Sequence, residues 1–229
     1  MLQCDSISNN AGHAGEFSSI LHSSYDNMEK PLIVEWRIKV REQHGIIVFG
    51  ANGCGKTTIG SELSHILGYK HMDHESYAFE ESETPYTMER SNDESIELML
   101  ADIKRHRKFI LSAVIGNFGE AVSQYYALAV YVKAPIELRM KRLEQRAYEQ
   151  NGDRILSGGD MYDQHVRFID FAKSRSLERI EKWAETLTCP LIHIDGTEDC
   201  KAHAIKISEY FRNMVYRIED IANAYTMGK

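Results

Sequence analysis

The chain has 229 residues, enough to bury one full hydrophobic core without staples. It is 43% hydrophobic and 27% charged with 4 Pro, which excludes a disordered, collagen-like or disulfide-scaffold protein. Lys plus Arg is 27 against 34 Asp plus Glu, a net charge of -7, which argues against nucleic acid as a partner. No stretch approaches the roughly 20 apolar residues of a membrane span. The opening MLQCDSISNNAGHAG has neither a basic nor an apolar signal region, so no secretory leader is expected. Cys4, Cys54, Cys189 and Cys200 are scattered without metal-type pairing, and reduced thiols in a cytoplasmic protein are expected.

Residues 1–30 are polar and aperiodic and read as a loosely attached leader, partly disordered, ahead of a single domain over 31–229. In LIVEWRIKV, Val34, Trp36, Ile38 and Val40 alternate with polar residues, which predicts a half-buried strand added before the main sheet. GIIVF is a continuous apolar run suited to a central parallel strand. Lys56–Leu67 places Ile59, Leu63, Ile66 and Leu67 on one helical face, with Gly68 as the stop. YKHMD reads as a short strand. Ser91 and Glu94 form a capping-box signature before Ile96, Met99, Leu100 and Ile103 on a helix. FILSAVI and ALAVYVKA read as strands. Pro135 opens a helix that ends near Gly152, and RILSGGDMYD reads as a loop. A helix is expected from about Gln164 to Leu187, then a last strand, PLIHID. The final helix carries Phe211, Val215, Ile218 and Ala222 on one side. Strands alternating with helices predict an α/β fold with a parallel sheet between helical layers.

Directly after GIIVF stands Gly50-Ala51-Asn52-Gly53-Cys54-Gly55-Lys56-Thr57-Thr58, which fits G-x-x-x-x-G-K-[ST] in its strand–loop–helix context. Backbone N–H groups must curl around a phosphate, and Gly50, Gly53 and Gly55 permit that approach. The helix N-terminus adds the positive end of its dipole. Lys56 supplies a point charge to the β- and γ-phosphates, and the Thr57 hydroxyl can ligate Mg²⁺. ATP and Mg²⁺ are therefore the expected donor and metal.

Other phosphate-loop classes lack their marks. No glycine follows an aspartate at D-x-x-G spacing, and N-K-x-D is absent. The Asp-Glu pair that ends an apolar strand in AAA and ABC ATPases is missing from FILSAVIGN and ALAVYVKA. GANGCGKTTIGSELSHILGYKHMDHES resembles the opening of the nucleoside-monophosphate-kinase and shikimate-kinase group. Three further matches follow in order: Asp73-His-Glu75 for the group's D-x-D, Arg142-Leu-Glu-Gln-Arg146 for its R-x-x-x-R, and Asp195-Gly196 for the D-G turn beside adenine. The chain departs from the group after the third strand, where Ser112-Ala-Val-Ile-Gly-Asn-Phe-Gly119 replaces D-G-x-P-R. The resemblance covers about residues 45–212. It implies a three-layer α/β/α phosphate-loop fold with five mostly parallel strands, the added N-terminal strand, and a helical lid over about 142–175.

The resemblance also implies roles. Asp73, directly or through water, joins Thr57 at Mg²⁺. Glu75 orients or deprotonates an acceptor hydroxyl. Arg142 and Arg146, four apart on one helix face, clamp the transferring phosphoryl group. Gly196 lies near the nucleotide base. Ion pairing on a solvated helix is the alternative for the two arginines, and Arg154, Arg167 and Arg175 are weaker lid candidates, expected rather to be structural. His71 and His74 flank Asp73, but their spacing splits them across an extended chain. Cys54 is read as a small loop-lining residue, and Trp36, Trp183, Tyr125 and Tyr126 as packing. The function so implied is ATP-dependent phosphoryl transfer to a small hydroxyl-bearing metabolite. An NTP hydrolase driving a partner, or a nucleotide-binding module without turnover, are the alternatives. Nine acids against Arg90 between Asp73 and Glu97 lead us to expect a neutral or cationic acceptor.

Overall fold

A run without alternation must be covered on both faces, and GIIVF is: β2 (His44–Phe49) is buried at all six positions. Our computed structural model describes residues 5–6, 43–82 and 87–227. The predicted strand over 32–40, with Trp36, lies outside these residues. From β2 the chain passes through the glycine loop into α1 (Lys56–Leu67), which stops at Gly68 in the left-handed conformation, φ 69°. Next come β3 (Lys70–Asp73), α2 (His74–Ala78) and α3 (Asn92–His106). The Ser91–Glu94 capping box is complete, with both reciprocal bonds formed. After β4 (Lys108–Ala113) and α4 (Glu120–Ser123) follow β5 (Tyr126–Lys133) and α5 (Ile136–Asn151). The rest is α6 (Tyr162–Ser174), α7 (Glu178–Ala184), β6 (Leu191–Asp195) and α8 (Cys200–Met227).

The sheet order is β1-β6-β5-β2-β4-β3, with every pairing parallel. Here β1 is the two-residue pair Asp5–Ser6 beside Ile192–His193. The five predicted strands β2 to β6 are thus one parallel sheet. Alternation along β2 sends Ile46 and Val48 to one core and Ile47 and Phe49 to the other. The first core holds Ile59 and Leu63 of α1 with Ile207, Phe211 and Met214 of α8. The second holds Met99 and Ile103 of α3 with Ile180 of α7. The three layers follow. Phe49 stacks on Tyr131 at 4.8 Å and meets Trp183 edge-on at 4.8 Å, so Trp183 packs as expected. Each such pair adds about 0.5–1.5 kcal/mol beyond area burial. Tyr126 is likewise core, its hydroxyl donating to the Gly116 carbonyl at 3.0 Å.

Three local expectations change. The helix expected over 164–187 is two, α6 and α7, because the chain turns at Arg175–Leu177 and the Glu178 N–H donates to Ser176 Oγ at 3.1 Å. The expected loop RILSGGDMYD begins inside a 3₁₀ turn, Gly152–Ile155, and its last two residues, Tyr162 and Asp163, open α6. Short α2 and α4 carry too few residues to show a helical period.

Because β2 lies between β4 and β5, its carboxyl end opens at the point where chain direction across the sheet reverses, the usual ligand crevice of such sheets.

Candidate active site

The loop after β2 is built on three glycines with positive φ: Gly50 at 151°, Gly53 at 80° and Gly55 at 106°. A Cβ at Gly50 would collide with the Val132 carbonyl, and one at Gly53 would lie 2.5 Å from the Arg139 carbonyl oxygen. Glycine is therefore demanded by both conformation and space. Gly55 caps α1 with no side-chain bond to the first-turn N–H groups, which leaves them for a ligand. Lys56 is buried, only 6% exposed, and so is Asn52. Asn52 Oδ1 is enclosed without a partner. The positive-φ glycines, the open first-turn N–H groups and the buried Lys56 fit a bound phosphate chain. Cys54 is fully buried, and burial pushes its thiol up, which matches packing rather than redox chemistry.

On the neighbouring strand end, Asp73 pairs in register with Ser112, and its Oδ1 accepts the Glu75 N–H at 3.2 Å to cap α2. Asp73 and the first turn of α1 thus both stand at the carboxyl side of the sheet, with oxygen ligands suited to Mg²⁺. The flanking histidines diverge. His71 Nε2 lies 3.0 Å from Ser112 Oγ, whereas His74 stacks on Phe118 at 4.7 Å. Burial holds both ring pKa values below the ordinary range, with Asp73 opposing. Among the described residues no group of three His, Cys, Asp or Glu converges on a metal site.

A cavity of about 640 Å³ lies between the loop, α2, the segment after β4, α5 and α6. Asn52, Glu75 and Arg146 share its wall. The geometry separates the arginine pair. Arg146 faces this cavity, while Arg142 Nη1 donates to the Gly196 carbonyl at 2.8 Å and reaches the Cys54 carbonyl at 3.4 Å. Arg142 thereby ties the phosphate loop to the Asp195–Gly196 turn. That turn is closed by Gly196 N–H donating to Lys133 O at 2.7 Å and Thr197 N–H to Asp195 Oδ1 at 2.9 Å. The second bond holds the Asp195 carboxyl below the usual range.

Of the other arginines, Arg154 pairs with Asp160 at 2.6 Å and Arg167 is exposed, and neither lines the cavity. Arg175 instead lines the cavity, its guanidinium 5.3 Å from the Phe171 ring centroid. Sequence reasoning missed Arg179, also on the cavity wall, and Arg139, buried beneath the loop. No spacing motif marks either. Among the described residues of the acid-rich stretch, Glu75 and Glu89 line the cavity, beside Arg146, Arg175 and Arg179. Arg90 is engaged with the carbonyls of Tyr77 and Phe79. Asp93 and Glu94 serve the first turn of α3.

The uncharacterized protein YqaC of Bacillus subtilis (strain 168) is 30% identical over 168 residues, 69% of this chain and 90% of its own length. Shikimate kinase from Acinetobacter baumannii, solved with shikimate, overlaps 77% of this chain and 97% of its own at 19% identity and TM-score 0.44. A gluconokinase from Sinorhizobium meliloti 1021 overlaps 81% and 98% at 12% identity and TM-score 0.44. Residues 46–166 match the family described as "AAA domain". Within that match β4 and β5 end in Ala113 and Lys133, without the Asp-Glu pair expected there of an AAA ATPase. The match opens on the β2 strand, takes in the phosphate loop and spans more than half of the sequence, so the chain belongs to this AAA-domain family.

Proposed function

We propose that the protein transfers the γ-phosphoryl group of ATP to a hydroxyl on a small metabolite. The observation that carries this reading is the cavity that brings Asn52 of the phosphate loop, Glu75 and Arg146 to one wall, with room beside the loop for an acceptor. Simple nucleotide hydrolysis needs no such chamber. In this reading Lys56 and the amides of residues 50–58 hold the donor phosphates. Thr57 and Asp73 supply oxygens to Mg²⁺, whose charge offsets that of the phosphates. Glu75 orients or deprotonates the acceptor hydroxyl, and Arg146 meets charge developing on the transferring group. Arg142 positions the loop against Gly196. Among the described residues of the wall, three guanidinium groups against two carboxylates favour an acceptor that carries an anionic group, held at the Arg175–Arg179 end.

The family description supports a second reading, an NTP hydrolase. A panel of hydroxy acids, sugars, amino alcohols and nucleoside monophosphates, with ADP release as readout, separates the two. Acceptor-dependent release supports the kinase, and release that ignores the acceptor supports the hydrolase.

A further inference from the structure

A second cavity, about 410 Å³, lies between the carboxyl ends of β5 and β6, the start of α5 and Leu177 ahead of α7. Neither Lys56, Glu75, Arg142 nor Arg146 lines it, so it is separate from the chamber above. Arg139 lines it and is 4% exposed. A guanidinium is charged at every accessible pH, and enclosing one without a counter-charge is costly. Yet among the described residues no carboxylate pairs with Arg139. Its Nη1 makes one long bond, 3.4 Å, to the Asn52 carbonyl, and its Nε is buried without a partner. A second orphan lies in the same wall, the buried Tyr131 hydroxyl.

The other ionisable groups do not supply the missing charge. Lys133 Nζ pairs with Glu181 at 3.6 Å. Asp195 is exposed and its Oδ1 is taken by the Thr197 N–H. His193 sits 5.4 Å from the Tyr131 ring, and burial first, then Lys133, lower its ring pKa. What remains is a buried guanidinium without a counter-charge, in a wall shared with Tyr131 and with the apolar Ala134, Pro135 and Leu177. That arrangement suits an anionic head on a short apolar body.

We propose that this cavity binds a small oxyanion, a carboxylate or a phosphate group, on Arg139 with the Tyr131 hydroxyl as second donor. The proposal is independent of the phosphoryl-transfer reading. Isothermal titration of the full chain with butyrate in one arm and inorganic phosphate in the other tests it and distinguishes the two head groups. Wild type and Lys56→Ala bind at least one probe alike. Arg139→Met weakens that binding by about tenfold or more, the scale of one charge-assisted bond. Tyr131→Phe, which keeps the ring on Phe49, weakens it by a few fold. The His193 ring resonances of the wild-type protein shift on adding the probe that binds, a readout that needs no variant. Neither probe binding, equal binding by Arg139→Met or by Tyr131→Phe, or unmoved His193 resonances overturns the proposal. Phosphate binding that is lost in Lys56→Ala but kept in Arg139→Met also overturns it, because the ion then belongs to the phosphate loop.

Discussion

The phosphate loop and the neighbouring chamber differ in how the chain makes them. The loop is nine consecutive residues, fixed by glycines that steric contact makes irreplaceable and by strands buried on both faces. The chamber is assembled from separate segments spread between Asn52 and Arg179, and on its α6 wall apolar side chains stay open: Phe171 is 53% exposed. A site part built from contiguous, enclosed backbone is rigid by construction. A part built from distant segments with uncovered apolar surface has few contacts holding it, which is the condition for closing around a substrate.

That contrast can be broken experimentally. The largest expected effect is on the loop side: Lys56→Ala lowers turnover by on the order of 10³ while leaving the fold intact, because its charge acts on the phosphates and not on packing. A turnover assay beside circular dichroism checks this. Next, Arg146→Ala lowers kcat by on the order of 10² with little change in ATP affinity, as for a group that meets charge in the transition state. Arg142→Ala weakens ATP binding instead, since Arg142 holds the Cys54 and Gly196 carbonyls. Full kinetics of both variants separate the roles, and identical kcat and KM changes would erase the distinction between loop and chamber.

Stability effects come third. Gly53→Ala costs about 1–3 kcal/mol, because a left-handed residue gains a Cβ against the Arg139 carbonyl. Ser91→Ala removes one half of the α3 capping box, which costs about 1 kcal/mol. Thermal unfolding measures both, and the loop glycine is expected to exceed the cap.

The smallest effect is pH dependence. His71, His74 and His193 have folded-state pKa values depressed by burial. Below the ordinary histidine value of about 6.5 the unfolded chain therefore binds more protons than the folded one, so stability falls as pH drops from about 7 to 5. Replacing His71 with Gln flattens the melting-temperature profile over that window. A profile that rises with acidification would contradict the burial of these rings.

Much of this architecture was legible from residues. Apolar runs without alternation announced buried strands, and Gly68, Pro135, Gly152 and the Ser91–Glu94 pair marked helix ends. The loop could be read because its chemistry is contiguous. The chamber could not. Arg175 and Arg179 reach it only because the chain bends at Arg175–Leu177, and Arg139 is remarkable in sequence only for being one more base on a charged helix. The acid-rich stretch shows the same limit: composition counts charges, while the fold decides which of them face a cavity. Asp93 and Glu94 turned out to serve a helix end.

The most direct test of the phosphoryl-transfer reading is ADP release from Mg-ATP across the acceptor panel, run with wild type and Lys56→Ala. The account predicts release that depends on a hydroxy-acid acceptor, falls away with amino alcohols, and is abolished by the lysine substitution. Release at one rate regardless of acceptor, or turnover that survives Lys56→Ala, would contradict it.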